Sequence, residues 1–472
     1  MDWPAAVAWT HRGNAVLVTA LVALAAAMIA RWARRRPRDV HRRGVVLADG
    51  RRIQRRSARR QSHGGSLTLA GVAIPAADET KHFKLIGTTG TGKSTAIREL
   101  LAAALARGDR AVFADPDGGY LARFFDRYRG DVLLNPFERD SAKWDLFGEI
   151  NNSYDIEQLA SGLIPASEDP ASSEWRGYAR TLLCAVVRRC HGRGGDTADL
   201  WRLLTMAPLE ELRPIVAGTP AQPFVDADNA RMFGSIRSVM GSAIAAFEYV
   251  QAQRAAAFSV RRWVAARDVP GALFMPYKAG QIAALRSMIA TWLRLAIFEA
   301  MNQPEDRDQR LWFVVDELDA LGAIDGLKDA LARLRKFGGR CVLGFQSIAQ
   351  VTSTYGPNDA QTIVENCGNT LILRCSGSEN GGTSQFASRL IGDREVLRRQ
   401  HSRGSDRESG FSARGARRSR NVTEQSTTEA AVMPSELEQL PDLCGYFKSA
   451  SSHRWLKVAF GRRAAEKSRR GP

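Results

Sequence analysis

"LIGTTGTGKST", residues 85–95, decides the fold of this 472-residue chain. Gly87, Thr88, Thr89, Gly90, Thr91, Gly92, Lys93 and Ser94 match the pattern GxxxxGK[ST], and Thr95 follows. The apolar stretch "KHFKLIG" (81–87) before the loop reads as a strand, and "STAIRELLAAALARG" (94–108) after it has helical composition, with Gly108 placed to cap its end. Strand, Gly-rich loop and helix in that order are the context that confirms a phosphate-binding loop. The glycines let backbone N–H groups turn toward phosphate oxygens, and the helix N-terminus adds partial positive charge. Lys93 is placed to neutralise β- and γ-phosphates, and Ser94 to bind Mg2+.

A triphosphate site needs a second half. In "LWFVVDELDAL" an apolar run ends at Asp316 and Glu317, as a buried strand does when it delivers carboxylates to a nucleotide. Asp316 is the candidate Mg2+ holder and Glu317 the candidate general base for the attacking water; alone, the same pattern also fits a surface turn. Gln346 ends the next strand, "CVLGFQS", where it either contacts the γ-phosphate or attacking water or merely terminates the strand. Arg335 and Lys336 precede that strand; either is an arginine-finger type residue for a neighbouring subunit or a solvated helix end.

The rest of the chain alternates. "SLTLAGVAI" (66–74), "AVFADPD" (111–117), "DVLLNPF" (131–137), "GALFMPY" (271–277), "NTLILRC" (369–375), "GYFKSA" (445–450) and "WLKVAF" (455–460) read as strands. Strands alternating with helical stretches predict an α/β fold with a parallel sheet. From about 150 to 265 the strand signal vanishes, and "EWRGYARTLLCAVVRRC" (174–190), "ADLWRLLTMA" (198–207) and "ARMFGSIRSVMGSAIAAFEYVQAQRAAA" (230–257) read as helices. The expected organisation is an N-terminal stub and membrane helix over 1–35, a basic tether over 36–65, and a nucleotide-binding domain over 66–150 and 266–460. An all-α domain fills 151–265, 398–430 is a flexible basic loop, and 461–472 is a basic tail. The 223 residues between Lys93 and Asp316 exceed what a minimal nucleotide core needs, and the helical insertion supplies the excess.

The formal charge of +17 suggests a nucleic-acid coat until it is located. Residues 31–62 carry +11, 398–420 carry +6 and 459–472 carry +4, which leaves the remaining chain at −4. Basicity therefore belongs to flanks and one loop, and bulk pI does not argue for a DNA-coating protein. "NAVLVTALVALAAAMIA" (14–30) is uncharged and followed at once by Arg31, Arg34, Arg35, Arg36 and Arg38. Spanning helices need ~17–25 such residues, and the arginine asymmetry orients the rest of the chain to the cytoplasm. A signal peptide would carry its charges before the apolar run. The six cysteines form no CxxC pair and read as reduced packing residues.

Together with "ADPDGGYLARFF", "GDVLLNPF", "LRKFGGRCVLGFQSIAQVTSTYG" and "VMPSELEQLPDLCGYFKSAS", these motifs make the sequence resemble the type IV coupling proteins of conjugation systems, the TraD/TrwB family, over roughly residues 14–460. The resemblance implies a RecA-like P-loop ATPase domain using ATP and Mg2+, an inserted all-α domain and a single-pass inner-membrane anchor. It implies a homohexamer that receives relaxase or relaxosome proteins with DNA and pumps single-stranded DNA toward the secretion channel. It also implies that Lys93 and Ser94 serve the phosphate loop, that Asp316 and Glu317 are the acidic pair, and that Gln346 and Arg335 are the sensing glutamine and the arginine finger. Family members usually carry two N-terminal spans, and here one is clear. A double-stranded DNA pump of the chromosome-segregation or packaging type is the alternative motor, and a relaxosome docking receptor with vestigial ATPase activity the alternative outside that class.

Overall fold

The structure, a computed structural model, describes residues 40–61, 67–167, 169–379, 381–405 and 418–460. Ten strands form its principal sheet: β1 (Val46–Asp49), β2 (Phe83–Ile86), β3 (Arg110–Pro116), β4 (Val132–Leu133), β5 (Ala272–Tyr277), β6 (Leu311–Val315), β7 (Gly339–Phe345), β8 (Asn369–Ile372), β9 (Cys444–Lys448) and β10 (Arg454–Ala459). Their spatial order is β1-β10-β9-β8-β2-β7-β6-β3-β5-β4. Every pairing from β8 across to β4 is parallel. β9 and β10 extend the sheet antiparallel, and β1 runs parallel to β10. β2, β5, β6, β7 and β8 are buried along their whole length, as strands covered on both faces must be, which is why they read as unbroken apolar runs.

One face of the core joins Phe83, Leu85, Phe113, Phe274 and Trp312 of the sheet to Ile97, Leu100 and Leu101 of the helix Lys93–Ala106. That helix closes as its sequence predicts: Gly108 adopts φ +89° just beyond Arg107, and Asp109 N–H returns to Ala104 O at 3.1 Å. In the helix Ile282–Asn302, Leu285, Met288, Ile289, Trp292 and Ala296 are all buried, the stripe expected for a core-facing helix.

Between β4 and β5 lies the helical insertion. Its helices are Ser153–Leu163, Pro170–Arg193, Thr197–Thr205, Leu209–Val216, Ala230–Ala243, Phe247–Ala252 and Val260–Ala265. Local signals set their starts and stops. Asp169 accepts from Ser172 N–H ahead of Pro170, Gly194 ends that helix at φ +72°, and Asp196 forms a capping box with Asp199. The root of the insertion is a buried carboxylate. Glu149 accepts hydrogen bonds from Trp144 Nε1 (3.0 Å), Ser259 Oγ (3.0 Å), Val260 N (2.7 Å) and Arg261 N (3.0 Å), tying entry to exit.

Four expectations change. The stretch 230–257 is not one helix but two, Ala230–Ala243 and Phe247–Ala252, and Ala257–Phe258 is a short strand paired with Lys143–Trp144. "SLTLAGVAI" is not one strand but a tight hairpin, Thr68–Leu69 against Val72–Ala73, turned by Ala70 (φ +51°) and Gly71 (φ +69°). Much of the expected tether is folded: Val46–Asp49 joins the principal sheet, and Arg51–Gln61 is a helix fastened by polar contacts. Gln54 Nε2 donates to Ala70 O (2.7 Å) and Ala459 O (2.9 Å), and Ser57 Oγ accepts from Ala73 N (3.2 Å). The expected loop over 398–430 is largely strand: Asp393–Ser405 pairs antiparallel with Arg418–Ala430. With Val40–Gly44 these strands form a separate three-stranded sheet, in which Arg42 donates to Glu395 at 3.0 Å. Backbone pairing explains this element, which carries few apolar side chains for a hydropathy pattern to catch. The apolar run 14–30, residues 406–417 and the tail 461–472 lie outside the described residues, among which no helix is long and apolar enough to cross a membrane. All six cysteines are unpaired.

Candidate nucleotide-binding site

β2 delivers the Gly-rich loop to the C-terminal edge of the parallel strands, the edge where open α/β sheets bind ligands. There Gly87 N–H bonds Phe345 O (3.3 Å) and Thr88 N–H bonds Arg374 O (2.9 Å), so strands on both sides hold the loop. Thr91 supports it from behind, its Oγ1 donating to Thr88 O at 2.7 Å. Gly92 is the helix N-cap with φ +116°, and a Cβ there would stand 2.8 Å from Leu443 Cδ2. Thr88, Thr89, Gly90, Gly92, Lys93, Ser94 and Thr95 line a cavity of about 360 Å³. Asp316, Glu317 and Gln346 line its other wall.

Each acidic residue has a defined environment. Asp316 is 3% exposed, and its Oδ2 accepts from Ser94 Oγ (2.6 Å) and Tyr120 OH (2.7 Å), while Oδ1 is buried without a partner. Glu317 Oε1 accepts from Gln346 Nε2 at 3.1 Å. Burial, then the charges of Asp316 and Asp319, lift the Glu317 carboxyl above its ordinary range, and Gln346 and Lys93 oppose the shift. Lys93 Nζ donates to Gly87 O at 2.6 Å, and burial lowers its pKa against the pull of Asp316 and Glu317. Gln346 is central: its Oε1 accepts from Thr89 Oγ1 (2.9 Å) while its amide reaches Glu317. The strand order explains why. β7 lies between β2 and β6, so the residue leaving its tip sits between the phosphate loop and the acidic pair.

Gly87, Lys93, Ser94, Asp316, Glu317 and Gln346 therefore lie together. Arg335 does not join them. It is exposed in the turn Leu334–Phe337 before β7, and at ~3.3 Å per residue the seven residues of that strand place it about 20 Å from Gln346. It does not line the cavity, and Lys336 is engaged by Glu305 at 3.5 Å.

Four cavity neighbours have no role that the sequence motifs assign. Arg98, Asp442 and Leu443 line the cavity, and Asp442 pairs with Arg374 at 2.7 Å. Tyr120 is held by Asp115, whose carboxylate accepts Tyr120 N–H (2.9 and 3.1 Å) and Leu121 N–H (2.7 Å). Burial is the main reason that the Asp115 carboxyl is pushed up to about 6 and the Tyr120 phenol well above its usual value. The Asp-Gly-Gly-Tyr turn after β3 is visible in sequence, but nothing in it says which distant carboxylate the phenol meets.

The donor set fits a divalent cation: a hydroxyl beside a buried carboxylate with one oxygen free, at the foot of a phosphate loop. Comparison with known proteins gives the same picture. Residues 66–460 match the family described as the type IV secretion-system coupling protein DNA-binding domain. The chain is 30% identical to the coupling protein TraD of Escherichia coli (strain K12) over 413 residues, covering 85% of this chain and 56% of TraD. It is 21% identical to the conjugal transfer protein TraG of Escherichia coli over 319 residues, 61% of this chain and 49% of that one. It thus spans about half the length of these curated relatives. Among solved structures, the conjugative coupling protein TrwBdeltaN70 in an unbound form superposes with a TM-score of 0.76 at 29% identity, covering 90% of this chain and 94% of that one. The plasmid coupling protein TrwB in complex with ADP and Mg2+ superposes equally well, at 29% identity over 90% of this chain and 95% of that one. With an α/β P-loop ATPase-like fold, a helical domain and a family match over most of its length, this chain belongs to the type IV secretion-system coupling protein family.

Proposed function

We propose that this chain is a membrane-anchored ATP hydrolase that receives a relaxase–DNA complex and drives single-stranded DNA toward a type IV secretion channel. The observation that carries the reading is the hydrogen-bonded relay from Thr89 through Gln346 to Glu317, next to the Ser94–Asp316 pair. A docking receptor without turnover has no need of it. Solved complexes of TrwB with a non-hydrolysable ATP analogue and with ADP and Mg2+ support ATP and Mg2+ as the ligands.

The roles follow from position. Backbone N–H groups of residues 87–95 and Lys93 bind the phosphates. Ser94 and Asp316 would hold Mg2+, which when bound neutralises charge on the β- and γ-oxygens. Glu317 takes a proton from the attacking water, its basicity raised by burial. Gln346 orients Glu317 and reports to Thr89 whether a γ-phosphate is present. Arg335, a strand length from its own cavity, serves the nucleotide of a neighbouring copy in a homohexamer. The RecA-like domain covers 66–150 and 266–460, with β1 (Val46–Asp49) added at the edge of its sheet, the all-α domain covers 151–265, and residues 14–30 cross the inner membrane once with the bulk of the chain cytoplasmic.

ATP turnover by the full chain in nanodiscs, with and without single-stranded DNA, tests the reading. DNA should stimulate turnover, Lys93→Ala should abolish it, and Glu317→Gln should bind ATP without hydrolysing it. Wild-type protein that binds nucleotide but never hydrolyses it would return the chain to the docking-receptor class.

A further inference from the structure

We infer that Tyr120 is the positioning residue for Asp316, a phenol that fixes the carboxylate beside the Ser94 hydroxyl, where the pair would hold Mg2+. The inference rests on the nucleotide-hydrolase reading of the site and adds a residue that no motif assigns. An aspartate's χ2 torsion has broad, shallow preferences, so partners must set the orientation of its carboxylate. Two do so here, both on Oδ2: Ser94 Oγ at 2.6 Å and Tyr120 OH at 2.7 Å. Oδ1 is left buried with no protein partner, although buried carboxylate oxygens are nearly always satisfied.

Ser94 cannot fix Asp316 alone, because its own oxygen is a candidate metal ligand; it belongs to the first turn of the helix that the phosphate loop opens. Tyr120 belongs to a different element. Its ring, 1% exposed, stacks on Phe113 with centroids 5.5 Å apart, and Phe113 stacks on Phe274 at 4.8 Å. Its backbone N–H is clamped by both oxygens of Asp115. The Arg98 guanidinium lies 5.7 Å from the ring centroid. The phenol is therefore anchored to β3 and β5, not to the loop that handles phosphate. A partner of this kind, one bond behind a metal-holding carboxylate, typically accounts for ~10–100-fold in metal affinity or activity.

Tyr120→Phe tests the inference, since it keeps the ring and its stacking and deletes one hydroxyl. The probe is N-methylanthraniloyl-ATP bound to the full chain, followed by fluorescence while Mg2+ is titrated and again in excess EDTA. The half-saturating Mg2+ concentration should rise about 10-fold in Tyr120→Phe, while nucleotide affinity in EDTA stays within about twofold of wild type. An unchanged Mg2+ half-point would reduce Tyr120 to a core residue whose hydroxyl merely found a partner. Equal loss of binding with Mg2+ and in EDTA would assign the hydroxyl to the integrity of the pocket, and would also overturn the inference. If wild-type protein itself showed no Mg2+-dependent binding, the nucleotide-hydrolase reading would fall instead.

Discussion

Gln346→Ala is the sharpest probe of the hydrolytic machinery, because it removes both ends of one relay. The amide carries one bond to Thr89 at 2.9 Å and one to Glu317 at 3.1 Å. A hydrogen bond to a charged group is worth about 1.5–3 kcal/mol, which at ~1.4 kcal/mol per decade corresponds to roughly 10- to 100-fold in rate if felt mainly in the transition state. The pH dependence adds a signed test. Glu317 already sits above its ordinary pKa through burial, Asp316 and Asp319, and the Gln346 amide pulls it back down. Deleting that amide should raise the pKa further. A general base must be ionised, so activity lost on acidification should be lost at higher pH: the acidic limb of the kcat–pH profile moves up. ATP affinity should change little, since Gln346 supplies none of the loop's backbone donors. Steady-state ATP hydrolysis from pH 5.5 to 9, with ATP binding measured beside it, checks all three outcomes. A kcat within twofold of wild type together with an unmoved acidic limb would refute the relay.

Other expectations follow from packing and assembly. Gly344→Ala would push a Cβ to 2.3 Å from Asp316 O, backbone that cannot yield cheaply, so thermal melting should show a loss of about 1–3 kcal/mol and Mg2+-dependent nucleotide binding should weaken with it. Glu149→Ala leaves four donors at the root of the helical insertion without an acceptor; chemical denaturation should register a loss on the order of 3 kcal/mol. Arg335→Ala should bind ATP yet lose turnover, with arginine fingers worth ~10³–10⁵ in rate, and mixing it with Lys93→Ala protein should restore partial activity through interfaces that pair an intact Arg335 with an intact Lys93 site. Mixed oligomers that stay inactive would make Arg335 a solvated turn residue.

The phosphate loop and the acidic pair were legible because each packs its chemistry into one short segment whose backbone shape is part of the function. Contacts between segments far apart in sequence were not. Tyr120 and Asp316 are 196 residues apart, and no local pattern joins them. The helix Arg51–Gln61 is not legible in sequence for a different reason: its inward residues Gln54 and Ser57 dock it through hydrogen bonds, without the apolar stripe that marks an amphipathic helix. The hairpin through Ala70 and Gly71 hid because Ala seldom adopts positive φ, so "LAGVA" lacks the Asn-Gly or Asp-Gly mark of a two-residue turn.

The stretch "LRKFGGRCVLGFQS" reads in one dimension as a single motif, with Arg335 and Gln346 eleven residues apart. In three dimensions β7 runs between them, and it carries the two residues to opposite edges of the sheet. If both serve ATP hydrolysis, they serve two different nucleotides: Gln346 touches the loop and the base of its own cavity, and Arg335 must reach a cavity on another copy. β7 is then the physical connection between neighbouring sites. It is buried along its whole length and paired on both sides, with β2 below the phosphate loop and β6 below Asp316. A strand so constrained cannot slide, so a change at Gln346 is passed to Arg335 only as a shift of the sheet with its flanking helices. Coordination around a ring would on this geometry be rigid-body motion of the nucleotide domain, and single substitutions within β7 that preserve packing should leave it intact.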